Sequence, residues 1–297
     1  MRAVTRDAYD LFHNGVLALA EVEHTGMRID VDRLDRAIEG AGRKIKQLED
    51  RLKQSNEWGI WRRRYGGKAS MGSRTQLATI LFEDLGYECT VKTEKGRPKA
   101  DEAVLEKINR QFVQDFLNVE KLKKLKSTYL IGIRREVCDG YLHASFNLHL
   151  VQTMRSSSDS PNFQNIPIRD PKLGKPIRSC FIPRDGHVLV EIDYGALEFR
   201  ICACFWRDKA MVKYASDPSL DVHRDMAAEC YAVPVEEVTK QARFHAKNSF
   251  VFPTLYGSWW KNTSQHLWSA LDSYKLTSVS GRPLKQWLRD QGITKSN

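Results

Sequence analysis

The sequence predicts an α+β fold, and three observations predict it. Long stretches from about residue 7 to 55, and again beyond residue 221, repeat apolar residues at helical spacing. Between them, Tyr141, His143, Ser145 and Asn147 alternate with Leu142, Ala144, Phe146 and Leu148, the period of a strand. Further on, Val188, Leu189, Val190 and Ile192 form a short apolar, largely β-branched run bounded by Pro183 and Asp185-Gly186, which reads as a buried strand. That strand would deliver Asp193 at its end, where the chain turns into a helix-like segment from Ala196 to Phe205 carrying Glu198 and Arg200. A carboxylate at the carboxyl end of a core strand, beside a basic surface, suits a hard cation such as Mg²⁺.

Taken in order, Leu11, Val16, Leu17, Leu19 and Val22 form a helical pattern that Gly26 halts. A second helix follows with Leu34, Ile38, Ile45, Leu48 and Leu52. Residues 56–69 are rich in Trp and Arg and contain Gly66-Gly67, which reads as an exposed loop. Ser73 to Leu77 opens a helix running through Ile80, Leu81 and Phe82 to Gly86. Thr93 to Asp101 reads as a hairpin-like loop, and a helix with Val104, Leu105 and Ile108 comes after it. The stretch Thr153 to Pro167 is too polar for a core, and its Ser, Asn and Pro turn chemistry suits a loop lying on phosphates or base edges. Asp221 is a good N-cap for a helix reaching Tyr231. Arg243 and Lys247, four apart, share a helix face and can clamp two phosphates, one as a planar fork and the other as a point charge. Trp259, Trp260, Trp268 and Trp287 lie among helical patterns near the end and read as packing residues.

With 297 residues the chain can bury a substantial core. Its formal charge of +10 is clustered at Arg62-Arg63-Arg64, Lys92 to Lys99 and Lys121 to Lys126, which together favour a nucleic acid partner. The six cysteines show no C-x-x-C pair and no framework spacing. Neither zinc nor disulfides are indicated, so a reducing cytoplasm is the expected location. No signal peptide and no apolar run able to span a bilayer are read.

The residues Asp193, Tyr194, Glu198 and Arg200 resemble motif A of the family A DNA polymerases, Asp-Tyr-Ser-Gln-Ile-Glu-Leu-Arg, with Gly195 and Ala196 in place of the Ser and Gln. Two further motifs of that family lie on either side in the right order. Thr153 to Pro167 is similar to Thr-Gly-Arg-Leu-Ser-Ser-x-x-Pro-Asn-Leu-Gln-Asn-Ile-Pro, and Arg243 to Gly257 to motif B. The resemblance extends to Glu21–Asp30, to the Ser-x-x-Gln-Leu helix, to the loop before Asp101 and to the Asp-Ile-His segment at Asp221. It implies a right-hand polymerase: start of the polymerase domain 1–55, helical thumb 56–139, partial antiparallel palm 140–205 and helical fingers 206–297.

By the same resemblance, Asp193 and Tyr194 would hold Mg²⁺ in a two-metal site, and Glu198 would be the steric gate against a ribose 2′-hydroxyl. Arg243, Lys247 and His223 would contact a deoxynucleoside triphosphate, with Phe252 stacking on its base and Tyr256 supporting the template base. Arg155 would reach the primer-terminal minor groove, and Gln164 and Asn165 the template side. The expected partners are primer–template DNA and dNTPs, with no membrane. Phe252 and Tyr256 each fall one residue further from Lys247 than the family's spacing, and Pro253 sits between them. A π-bulge between Lys247 and Phe252 would absorb that residue and restore the face.

Little chain precedes Glu21, so a 3′–5′ exonuclease is not expected here. No His-Asp-Glu occurs, so the second metal carboxylate of motif C is missing, as in a split gene, a truncated product or a partial gene. A separately encoded C-terminal half is then an expected partner, and the altered motif B looks like a phage-type branch. A non-catalytic binder of primer–template or nucleotide is the competing class, and a basic RNA-binding protein is a third.

Overall fold

The computed structural model describes residues 5–294 apart from 90–95, 97, 153, 154 and 169. Contacts divide the chain into two compact units, Met1–Val190 and Glu191–Asn297.

In the first unit, α1 (Arg6–Thr25) is capped by the Thr5 hydroxyl and ends at Gly26, whose φ of 63° explains why glycine stops it. After β1 (Met27–Arg28), α2 (Val31–Lys53) starts at Asp30, whose carboxylate accepts the Arg33 N–H, and buries Leu34, Ala41, Leu48 and Leu52 along one face. The expected loop at 56–69 is instead mostly α3 (Asn56–Tyr65). Ser55 caps it, Trp58, Trp61 and Tyr65 share one face, and the three arginines occupy its last turn, where a cation suits the helix dipole. Trp61 is fully buried, and its Nε1 donates to Gln76 Oε1 at 2.8 Å.

Ser73 caps α4 (Arg74–Thr79), which a π-turn extends through Ile80–Asp84. The first residues of the hairpin-like loop expected from Thr93 to Asp101, and most of the basic run from Lys92, lie outside the described residues. Next come α5 (Glu102–Leu105), only one turn long, α6 (Gln111–Lys124), a π-turn at Leu125–Leu130 and α7 (Ile131–Glu136). Of the basic run in α6, Lys121 pairs with Glu102 at 3.0 Å and Lys123 with Glu49 at 2.6 Å, so part of its charge is spent inside the fold. Asp115 is buried and held by Arg51 at 2.6 Å and by Gln111 at 2.8 Å. Around these helices Leu52, Trp61, Leu77, Ile80, Leu81, Phe112 and Phe116 form the core.

The expected strand at 140–149 is split. β2 (Val137–Cys138) and β3 (Tyr141–Leu142) join β1 in an antiparallel sheet ordered β1-β3-β2. β4 (Ser145–Asn147) pairs instead with β5 (Ser157–Asp159), Phe146 opposite Ser158. The alternation survives the split: Leu142 and Ala144 are buried, His143 and Ser145 exposed. Within the polar stretch after residue 153, Ser158 is buried, because its hydroxyl accepts the N–H groups of Phe163 and Gln164. Asp170 then caps α8 (Pro171–Arg178).

The strand expected at 188–192 is not formed. These residues carry no regular secondary structure and pair with no strand among the described residues, and Val188, Leu189, Val190 and Ile192 are 53–88% exposed. An apolar run becomes a buried strand only where a neighbouring strand and a covering layer receive it, and neither is present among the described residues.

In the second unit, α9 (Leu197–Trp206) and α10 (Lys209–Ser216) precede α11 (Val222–Tyr231). Thr239 caps α12 (Lys240–Ala246), a π-turn spans Lys247–Val251, and α13 (Phe252–Leu255) continues it. α14 (Trp260–Ser273) and α15 (Leu284–Asp290) close the chain. Ala227, Tyr231, Ala242, Leu271, Leu284 and Leu288 make its core, with Trp268 and Trp287 packed against it. Trp259 and Trp260 are exposed instead, stacked edge-to-face on each other and flanked by Lys261.

Candidate functional site

The side chains singled out around Arg243 converge on one cleft of about 430 Å³ in the second unit, lined by Arg200, Tyr214, Asp221, His223, Arg243 and Lys247 among others. Its wall is the α11–α12 pair. Asp221 caps α11, its Oδ1 accepting the N–H groups of His223 at 3.1 Å and Arg224 at 3.2 Å. The same carboxylate holds Arg243 as a fork, Nε to Oδ2 at 2.6 Å and Nη2 to Oδ1 at 3.0 Å. Sequence reading assigned Asp221 only as a cap. Burial pushes its carboxyl up, but the bonds from Arg243 and the Arg224 N–H outweigh that and hold it below the usual range.

His223 is 4% exposed, and its Nδ1 has no hydrogen-bond partner among the described residues. Burial first, then the positive charges of Lys247 and Arg243, lower its pKa to about 4, so the ring is neutral at pH 7. Its edge meets the Phe252 ring at 5.8 Å, and Lys247 Nζ lies 5.0 Å from the centre of that ring. The expected π-turn is what allows this. It widens the helix over Lys247–Val251, sends Val251 into the core, and returns Phe252 to the side of Lys247 and His223. Pro253 then falls in the first turn of α13, where its missing N–H is tolerated.

Glu198 sits in the first turn of α9, half-buried, and accepts a hydrogen bond from the Tyr256 hydroxyl at 3.3 Å. Arg200 donates instead to backbone carbonyls, Gly195 O at 2.9 Å and Ala215 O at 2.5 Å, which pins the turn before α9 to the end of α10. Ala196 takes a left-handed φ of 51° in that turn. Asp193 and Tyr194 precede it, exposed and in irregular backbone. Among the described residues no group of three or more His, Cys, Asp or Glu side chains is placed to hold a metal. The donors that Asp193 and Tyr194 offer are hard oxygens, which fit a hard cation such as Mg²⁺.

Three further expected residues lie in the first unit. Gln164 and Asn165 are exposed on a single 3₁₀ turn, Phe163–Asn165, with Gln164 Nε2 donating to Ser156 Oγ at 2.8 Å. Arg155 is exposed, and Thr153 and Met154 before it lie outside the described residues.

This arrangement can be set against known proteins. The family model for DNA polymerase family A matches residues 38–273. The chain belongs to DNA polymerase family A. DNA polymerase I of Bacillus subtilis strain 168 is 35% identical to this family A chain over 246 residues, 81% of the chain and 26% of that protein. The thermostable DNA polymerase I of Thermus aquaticus is 35% identical over 254 residues, 84% of the chain and 29% of that protein. The chain therefore spans only about a quarter of the length of such relatives. A solved structure, the POL domain of Pol1 from M. smegmatis in complex with DNA primer-template and dNTP, superposes with a TM-score of 0.64 at 27% identity. That match covers 92% of this chain and 47% of the other. No helix among the described residues is long and apolar enough to cross a membrane.

Proposed function

We propose that this chain carries the thumb, part of the palm and most of the fingers of a DNA-directed DNA polymerase, extending a primer 3′-end from dNTPs. The observation that carries this reading is the cleft lined by Arg243, Lys247 and His223, with the Phe252 ring brought against His223 and Lys247 by the π-turn. Two cations four residues apart neutralise a polyphosphate, and the aromatic ring at their end offers a base a surface to stack on. Glu198, steadied by Tyr256, would stand where a ribose 2′-hydroxyl would press, and Tyr256 would support the template base. Asp193 and the Tyr194 carbonyl would hold Mg²⁺, which supplies charge neutralisation of the phosphates and a lowered pKa for the primer hydroxyl. Arg155, Gln164 and Asn165 would contact primer and template through groups nearly common to every correct pair, so fit is tested without reading sequence. The basic helices of the first unit would hold duplex backbone.

A second reading is favoured by two observations: no group of three or more His, Cys, Asp or Glu side chains is placed to hold a metal among the described residues, and the apolar run before Asp193 is uncovered. In that reading the chain binds primer–template or nucleotide without chemistry, and chemistry awaits a polypeptide supplying the rest of the palm. Primer extension with Mg²⁺ and four dNTPs, with Asp193→Ala alongside and primer–template binding followed by fluorescence anisotropy, separates the two. Extension abolished by Asp193→Ala supports catalysis by this chain. Binding without extension, equal in both forms, supports the binder, and restoration by the missing palm segment added in trans then identifies the partner. Absence of both binding and extension overturns both.

A further inference from the structure

The carboxylate of Asp221 occupies a place built for an anion. It sits at the N-terminus of the ten-residue helix α11, accepting the N–H groups of His223 and Arg224, and it fills the fork of Arg243 with both oxygens. A helix N-terminus converging with a guanidinium is the combination that binds phosphate. Beside it, His223 Nδ1 is buried and without a hydrogen-bond partner, and Lys247 has no carboxylate within ion-pair distance among the described residues. Among the described residues two carboxylates line the cleft, Asp217, which Ser219 answers, and Asp221, which Arg243 answers, while Lys247 and the His223 ring nitrogen are left without a matching group.

We propose that Asp221 is a built-in competitor that sets which phosphates the cleft accepts; the proposal rests on reading the cleft as a phosphate site. A lone phosphate that displaces the carboxylate from Arg243 gains nearly what the carboxylate loses, so its net gain is small. A chain of phosphates adds Lys247 and the His223 nitrogen, contacts that Asp221 does not make, and these drive the exchange. Asp221 thereby converts a general anion site into one selective for polyphosphates, and it is a specificity-determining residue.

The test is isothermal calorimetry of the purified 297-residue chain with inorganic phosphate and with tripolyphosphate, using wild type, Asp221→Asn and Arg243→Ala. Asn caps a helix as well as Asp, so α11 persists while the competing charge is removed. Wild type is expected to bind tripolyphosphate far more tightly than phosphate. Asp221→Asn is expected to bind phosphate at least about fivefold more tightly, narrowing the ratio, since one competing contact is worth roughly that factor. Should circular dichroism report loss of fold in Asp221→Asn, Asp221→Ser makes the same comparison with another capping residue. Unchanged or weaker phosphate binding in the folded variant overturns the competitor role, while tripolyphosphate binding that Arg243→Ala removes leaves the phosphate site standing. Tripolyphosphate binding absent from wild type and Asp221→Asn, or indifferent to Arg243→Ala, overturns both.

Discussion

The Tyr256 hydroxyl donates to Glu198 Oε1 at 3.3 Å, joining the end of α13 to the first turn of α9. The carboxylate is therefore held by the same helix run that carries Arg243 and Lys247. Glu198→Ala should relax discrimination between dATP and ATP by about tenfold, the scale of losing one steric contact in a pocket. Tyr256→Phe, which keeps the carboxylate but removes this hydrogen bond, should relax discrimination less. Competition binding of the two nucleotides reads both effects, and equal ratios in wild type and Glu198→Ala would sink the gate assignment.

The π-turn at Lys247–Val251 makes a prediction about register. Deleting Ser249 removes the extra residue and forces Pro253 into a regular helix interior, at a cost of about 3 kcal/mol. Adding Pro253→Ala should recover most of that stability, with the aromatic ring still facing Lys247 and nucleotide affinity retained. Urea denaturation and nucleotide titration of the double variant check this. Recovered stability with lost affinity would show that the turn does more than set register.

His223 gives a pH dependence with a definite sign. Its folded pKa of about 4 lies below the ordinary 6.5, so between those values the unfolded chain takes up a proton that the folded chain refuses. Its contribution is complete above pH 6.5 and is lost as pH falls toward 4. From pH 7 to pH 5 the loss is about 2 kcal/mol. Chemical denaturation of wild type and His223→Gln at both pH values should show the wild type losing more by that amount. Parallel losses would place the ring in water rather than in the wall of the cleft.

Asp115 predicts a structural liability in the first unit. Its side chain is 3% exposed and relies on Arg51 and Gln111. Arg51→Met leaves a buried carboxylate with one amide partner and should cost about 2 kcal/mol, less than a fully buried pair because Arg51 itself is largely exposed. The double variant Arg51→Met with Asp115→Leu should regain most of that loss. Denaturation midpoints decide it, and no loss in the single variant would contradict the buried charge.

Much of this was legible in the residues. Asp221 announced a helix start through a side chain that satisfies backbone N–H groups, and Ser73 opened another; Thr5, Asp30 and Thr239, not read as caps, act by the same local chemistry. The π-turn was legible too, since an extra residue and a proline between Lys247 and Tyr256 leave few ways to keep one face. Asp221 as the partner of Arg243 was not, because nothing local says that residues twenty-two positions apart meet. The α3 helix was hidden by Gly66-Gly67 and three arginines, although Trp58, Trp61 and Tyr65 carried its spacing. Val188 to Ile192 misled in the other direction. Their composition states a preference for burial, whereas burial itself depends on neighbours that composition does not name.

Those four uncovered side chains have a consequence measured in time rather than in free energy. An exposed apolar segment outside any sheet offers itself to any similar segment that arrives first, including the one on another copy of itself. The amount of usable protein in a cell would then follow a race between correct covering and self-association, with the stability of the helical units playing little part. Dilution, cooler expression and a charged substitution such as Val190→Lys should each raise soluble yield while leaving the melting of the helices unchanged.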